Sequence, residues 1–195
     1  SMDAALLSPY ENTSDCGVLY YSDEKVTEFC KAANRAGLQI EMHAIGDKAF
    51  VQAVRAIKAA LDDLPREDHR HTIIHACLPT AEEIAVCERY HINLAVQTAF
   101  IDWPQEPDSY LEQILGERAG RLNPIRTFCE HGLILSAGSD GPCTDPDRFY
   151  GCIRHAITAI RQNPSPCSRR CACVPTTDIT RPLMRGSVEV WKREK

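Results

Sequence analysis

The feature that most restricts this chain is a repeated order. A short run of alternating apolar and polar residues is followed by a capping residue and an amphipathic helical stretch, and the unit recurs along the sequence. In "LQIEMH", Leu38, Ile40 and Met42 share one face and Gln39, Glu41 and His43 the other. Around it, Ser22 is placed to cap a helix carrying Val26, Phe29, Cys30 and Ala33, which Gly37 stops. Asp47 is placed to cap a second helix, striped by Phe50, Val54, Ile57 and Leu61. The strand "HTIIHA" precedes a capping box, Thr80 to Glu83, and a helix to Tyr90. "INLAVQ" is the third strand, with Asn93, Ala95 and Gln97 on its polar face, and "LILSAGSD" the fourth, ending at Asp140. A longer connection from Thr98 to about Gly120 carries Trp103 and has the length of a functional lid. Pro124 opens a helix before the fourth strand, and a last amphipathic helix is expected from about Pro146 to Arg161.

Strands alternating with helices at this spacing imply a parallel sheet and an α/β fold. The polar strand faces choose between two such folds. A doubly wound sheet buries both faces under helices, so its central strands read as continuous apolar runs. A (β/α)₈ barrel meets helices on one face only and can line a polar site with the other. The barrel fits better, but four units make half of one. The expectation is a partial TIM barrel over residues 1–162 and a separate tail over 163–195.

Composition sets limits. With 22 Lys and Arg against 27 Asp and Glu, the net charge of −5 argues against nucleic acid as a partner. No apolar run is long enough for a membrane span, and no signal peptide is read at the N-terminus. Seven of ten cysteines, Cys16, Cys30, Cys77, Cys87, Cys129, Cys143 and Cys152, lie singly in helix and strand patterns, as buried reduced thiols of a cytoplasmic protein would.

Barrel enzymes place their active site at the C-terminal strand ends. Here those ends are His43, His75, Gln97 and Asp140. Two imidazoles and a carboxylate converging on one mouth suit a zinc-type cation, and the carboxylate could also take a proton from activated water. A single histidine ending a strand is more often a hydrogen-bonded structural residue, but equivalent placement in successive units favours the site. Asp140, in "SDGP", also reads as turn chemistry. His69, His71, His91, His131 and His155 read as surface or structural.

"HAIGD", "HTIIHA" and "AGSDGP", in this order and spacing, resemble the second half of the amidohydrolase superfamily barrel, strands five to eight. The branch most similar contains N-substituted formamide deformylase and the exoenzyme-regulatory-type amidohydrolases, which "AALLSPYENTSDCGVLYY" also resembles; the likeness covers about Ala4 to Arg161. The resemblance implies His43 and His75 as metal ligands of strands five and six, with Asp140 as metal ligand and catalytic general base. It implies hydrolysis of amide-type C–N bonds in a small-molecule substrate, with a divalent metal, zinc by preference, polarising the carbonyl and acidifying water. Gln97 is placed to touch substrate. The family's His-x-His pair and strand-four lysine have no counterpart here, since "HRH", His69 to His71, precedes strand six. A partial metal site is therefore expected, in a truncated form that is inactive alone or a non-catalytic half-barrel remnant. Two copies pairing their open edges into a closed homodimer would double the ligand count.

The tail holds Cys167, Cys171 and Cys173 in a spacing poor for structural zinc, and its basic, proline-bearing composition also reads as disordered. A shifted reading frame accounts for more. Taking each codon's third base with the next codon's first two, from Arg169 to Trp191, permits "ALRMCTYNGYYASFDERERGSLE", which resembles the stretch after strand eight in the same branch. The tail cysteines would then be accidents of translation.

Overall fold

A computed structural model of the chain describes residues 2–144 apart from 102 and 142. The expected helix from Pro146 to Arg161, Cys152 and the tail lie outside the described residues.

Helix α1 (Asp23–Arg35) begins at Ser22, whose hydroxyl accepts the Lys25 N–H, and carries Asp23 and Glu24 at its positive end. It leads through Gly37 (φ 77°) to β1 (Glu41–Ala44). Helix α2 (Asp47–Asp63) buries the expected stripe of Phe50, Val54, Ile57 and Leu61. Then follow β2 (Thr72–His75), α3 (Ala81–Tyr90) and β3 (Asn93–Val96). Thr80 caps α3, accepting the Glu83 N–H and contacting the Glu83 carboxylate, as a capping box requires. The connection after β3 is not bare loop. It holds two 3₁₀ turns (Thr98–Phe100 and Gly116–Arg121) around α4 (Asp108–Leu115). Helix α5 (Ile125–Glu130) and β4 (Leu135–Ala137) complete the order.

The sheet has four parallel strands in the order β1-β2-β3-β4. Space follows sequence with no reversal of direction across the sheet, so the winding is single, as in an arc of a barrel. Register explains the two faces. Met42, Ile73, Leu94 and Leu135 sit side by side and face the helices; the last three are buried. The neighbouring row, His43, Ile74, Ala95 and Ser136, lies on the opposite face and is half-buried to exposed. The main core is that outer row with Ile40, Ala44, Ile92 and Phe128, packed on the α2 stripe.

Three apolar expectations fail for geometric reasons. Leu38 precedes β1 and is 59% exposed, and Phe29 flanks the buried Val26–Cys30–Ala33 line of α1 and is 62% exposed. Cys143 is exposed, whereas Cys30, Cys87 and Cys129 are the buried thiols. Asp47 is the first residue of α2 rather than its cap, which is Gly46. Its Oδ1 instead accepts the Leu7 N–H at 2.7 Å, pinning the N-terminal segment across the start of α2.

That segment explains Gly46. A Cβ there would stand 2.1 Å from the Ala5 carbonyl oxygen, which accepts the Lys48 N–H at 3.1 Å. Gly46→Ala should therefore cost about 2–3 kcal/mol. Urea denaturation checks this; a wild-type midpoint would show that the segment is not seated on α2.

Candidate functional site at the C-terminal strand ends

His43 reaches the inner face by ordinary alternation, two residues after Glu41 on β1. His75 does not. Ile73 points into the helix layer and is fully buried, so a regular strand would send His75 the same way. The backbone leaves the strand conformation instead, with φ of 76° at His75 and 50° at Ala76. Left-handed residues other than glycine cost of order 1–3 kcal/mol and concentrate at working sites. The turn places the His75 ring against His43, centroids 4.4 Å apart and planes at 71°.

Around this pair the environment is dry on one side. His75 is 5% exposed. Burial, reinforced by His43, holds its imidazole below the usual histidine range, against opposing pulls from the Asp140 carboxylate and the Gln97 side chain. A neutral ring with a free lone pair is the form that binds metals. Three buried polar atoms lack a hydrogen-bond partner, His75 Nδ1, Gln97 Oε1 and Thr98 Oγ1, and they belong to neighbouring residues at one end of the sheet. Gln97 donates through Nε2 to the Ala95 carbonyl at 3.2 Å, which leaves Oε1 as the acceptor. Phe100 stands 6.1 Å from the His75 ring and packs edge-on against Trp103 at 4.9 Å, walling the mouth.

Asp140 lies three residues beyond the end of β4 rather than on it, at φ 54° and exposed. Its charge acts on His75, but it does not close a ligand set. Among the described residues, no three His, Cys, Asp or Glu side chains gather closely enough to hold an ion. The two imidazoles fit a metal by ring placement and by the unpartnered Nδ1, and the third donor is not in place beside them.

His69 and His71 are structural, as expected, and their bonds fix both tautomers. His71 Nδ1 accepts the Ile40 N–H at 3.1 Å, so its Nε2–H donates to Asn34 Oδ1 at 3.1 Å. His69 Nδ1 accepts the His71 N–H at 2.9 Å, so its Nε2–H donates to the Tyr90 carbonyl at 2.9 Å. Burial, with His69 and Arg66 nearby, pushes His71 down to about 4. This network lies at the opposite end of the strands from His43 and His75. Sequence reasoning passed over Thr98 and Phe100; the only signal was their place directly after a strand end.

No helix among the described residues is long and apolar enough to cross a membrane. A model of the Amidohydrolase family matches residues 1–181. The "Putative amidohydrolase YtcJ" of Bacillus subtilis (strain 168) is 28% identical over 199 residues, covering 98% of this chain and 36% of that protein. "Protein LONG AFTER FAR-RED 3" of Arabidopsis thaliana is 28% identical over 165 residues, covering 82% and 27%. The chain thus spans about a third of the length of the curated relatives it matches, 36% and 27%. Among solved structures, an uncharacterized metal-dependent hydrolase from Pyrococcus furiosus superposes with a TM-score of 0.66 at 25% identity, over 80% of this chain and 32% of that one. A second, from Pyrococcus horikoshii OT3, gives 0.63 at 22% identity over 89% and 33%, a likeness of fold.

Proposed function

The chain belongs to the amidohydrolase family, and from that premise we propose that it serves a metal-dependent hydrolase acting on amide-type C–N bonds. The N-substituted formamide deformylase type is the nearest chemistry. The observation that carries the reading is the His43–His75 contact, reached through a left-handed backbone at His75 and leaving a buried Nδ1 without a partner. A bound divalent cation, zinc by preference, would polarise the amide carbonyl and ease proton loss from water. His43 and His75 hold it, and Asp140 adds a carboxylate and takes the proton. Gln97 offers Oε1 to a substrate N–H, and the wall of Phe100 and Trp103 keeps bulk water from one side.

Two copies closing one barrel, β1 of each beside β4 of the other, would bring His43, His75 and Asp140 to the mouth twice. Among the described residues, neither β1 nor β4 has a second strand neighbour. The unpaired thiols of Cys30, Cys87 and Cys129 favour a cytoplasmic setting. A non-catalytic half barrel is the second reading, favoured by the missing third donor.

Zinc titration tests the site directly. The double variant His43→Ala, His75→Ala should bind zinc at least about 100-fold more weakly than wild type. Equal affinity would remove these residues from the site. Zinc-dependent cleavage of p-nitroformanilide, lost in Asp140→Asn, supports catalysis; zinc binding without cleavage selects the non-catalytic reading.

A further inference from the structure

The connection between β3 and β4 encloses a cavity of about 260 Å³ that the proposed hydrolysis does not itself require. Phe100, Leu111, Ala119 and Leu122 give it apolar walls, and Asp108 and Glu112 add two carboxylates. These two acids are four residues apart on α4, so they project from one face of the helix. Both are exposed, and the cavity's lining residues include no lysine or arginine. The place of the cavity is fixed from two sides. Asn123, also in its lining, donates its N–H to the Cys77 carbonyl just past β2 at 2.7 Å, and Phe100 follows β3 directly. Phe100 is shared: one ring separates the cavity from His75, at 6.1 Å between centroids.

We propose that this cavity binds the arm of a substrate in which a short apolar chain ends in a cationic nitrogen, an alkylammonium group. The inference rests on the His43–His75 mouth being the reaction site, since that is what makes a molecule seated here a substrate. Size and polarity both bear on the choice. A dry apolar cavity of roughly 150 Å³ is enough for benzene, so this volume holds a chain of several carbons. Apolar walls exclude a fully polar arm, whose groups would lose their water without replacement. Carboxylates without a facing cation select an ammonium over a carboxylate of the same length. An amide lying across Phe100 would then present its carbonyl toward the imidazoles while its cationic end rests against Glu112 and Asp108.

The experiment uses metal-free protein and three probes of equal length, pentylamine, pentanol and pentanoate, followed by the Trp103 indole signal in NMR. Pentylamine should bind about fivefold more tightly than pentanol, the scale of an exposed ion pair, and pentanoate should bind least. Glu112→Gln should erase most of the amine's advantage. Ala119→Phe should weaken all three probes, with Leu111→Trp as a second filling variant should the first fail to fold. Pentanoate binding as well as pentylamine, or a filled cavity that binds as before, would overturn the proposal. The His43→Ala, His75→Ala variant should bind pentylamine like wild type. Intact amine binding beside failed zinc binding therefore defeats the hydrolase reading alone, and the reverse pattern defeats the cavity alone.

Discussion

Asn34→Leu should lower the melting temperature by about 10 °C, the largest loss expected from any single exposed-to-solvent-neutral change in the described fold. Asn34 is fully buried at the end of α1. Its Nδ2 donates to the carbonyls of Ala60 and Leu64, at 2.9 and 2.8 Å, and so completes the last turn of α2. Its Oδ1 accepts from His71 Nε2–H and from Arg66 Nη1 at 3.2 Å. Leucine matches the volume but leaves two carbonyls, an imidazole N–H and part of a guanidinium without partners. Each stranded buried group costs about 1–3 kcal/mol. Arg66 recovers some of this through the carbonyls of Gly37 and Leu38, which brings the net to about 3–4 kcal/mol. A melting temperature within 2–3 °C of wild type would mean that water replaces Asn34.

Acid should destabilise the fold before its ion pairs respond. His71 titrates at 6.5 ordinarily and at about 4 when folded, so between those values the unfolded chain binds the extra proton. Stability is full above about pH 6.5, falls as the pH drops toward 4, and levels off below. For His71 the loss approaches about 3 kcal/mol. Burial lowers His69 and His75 as well, so both add to the same slope. Asp62, Asp63 and Asp68 are held below their ordinary 3.8 by Lys58, Arg35 and Arg70, which puts their titration beneath this window. Denaturation at pH 7, 5.5 and 4.5 reads the effect. His71→Gln should be less stable at pH 7 and show a shallower slope; an unchanged slope would assign the acid sensitivity to other groups.

Much of the fold was legible because its signals are local. Ser22 and Thr80 announce helix starts by their own side-chain chemistry, and the α2 stripe is a matter of spacing. The inner and outer faces of β1 and β3 follow from alternation, which is why His43 is where its sequence position puts it. His75 shows where that logic stops. Its alternation points outward, and only a backbone reversal at two consecutive residues, which the letters "HA" do not encode, brings it to His43. Asp140 was read as a strand end because "LILSAGSD" runs on without a breaker until Gly138, yet the ladder closes at Ala137. Asp47 carries a helix-start signal, but its partner, Leu7, lies 40 residues earlier in the chain. Partners at that distance have no local signature.

The N-terminal segment and the β3–β4 connection share a small core of their own. Leu6, Tyr10, Leu78, Ile114 and Leu115 pack together there, apart from the main cluster under the sheet. Arg118 stitches the two segments by donating to the carbonyls of Ser8 and Pro9, at 2.9 and 2.6 Å. The molecule is consequently built of two cooperative units of unequal size. The five buried residues of the lesser unit must release far less apolar surface to open than the main core does. Amide protons around the mouth will exchange on a faster clock than those of α2 and β2. The base of the barrel arc keeps its register while the rim, cavity included, opens and recloses on its own.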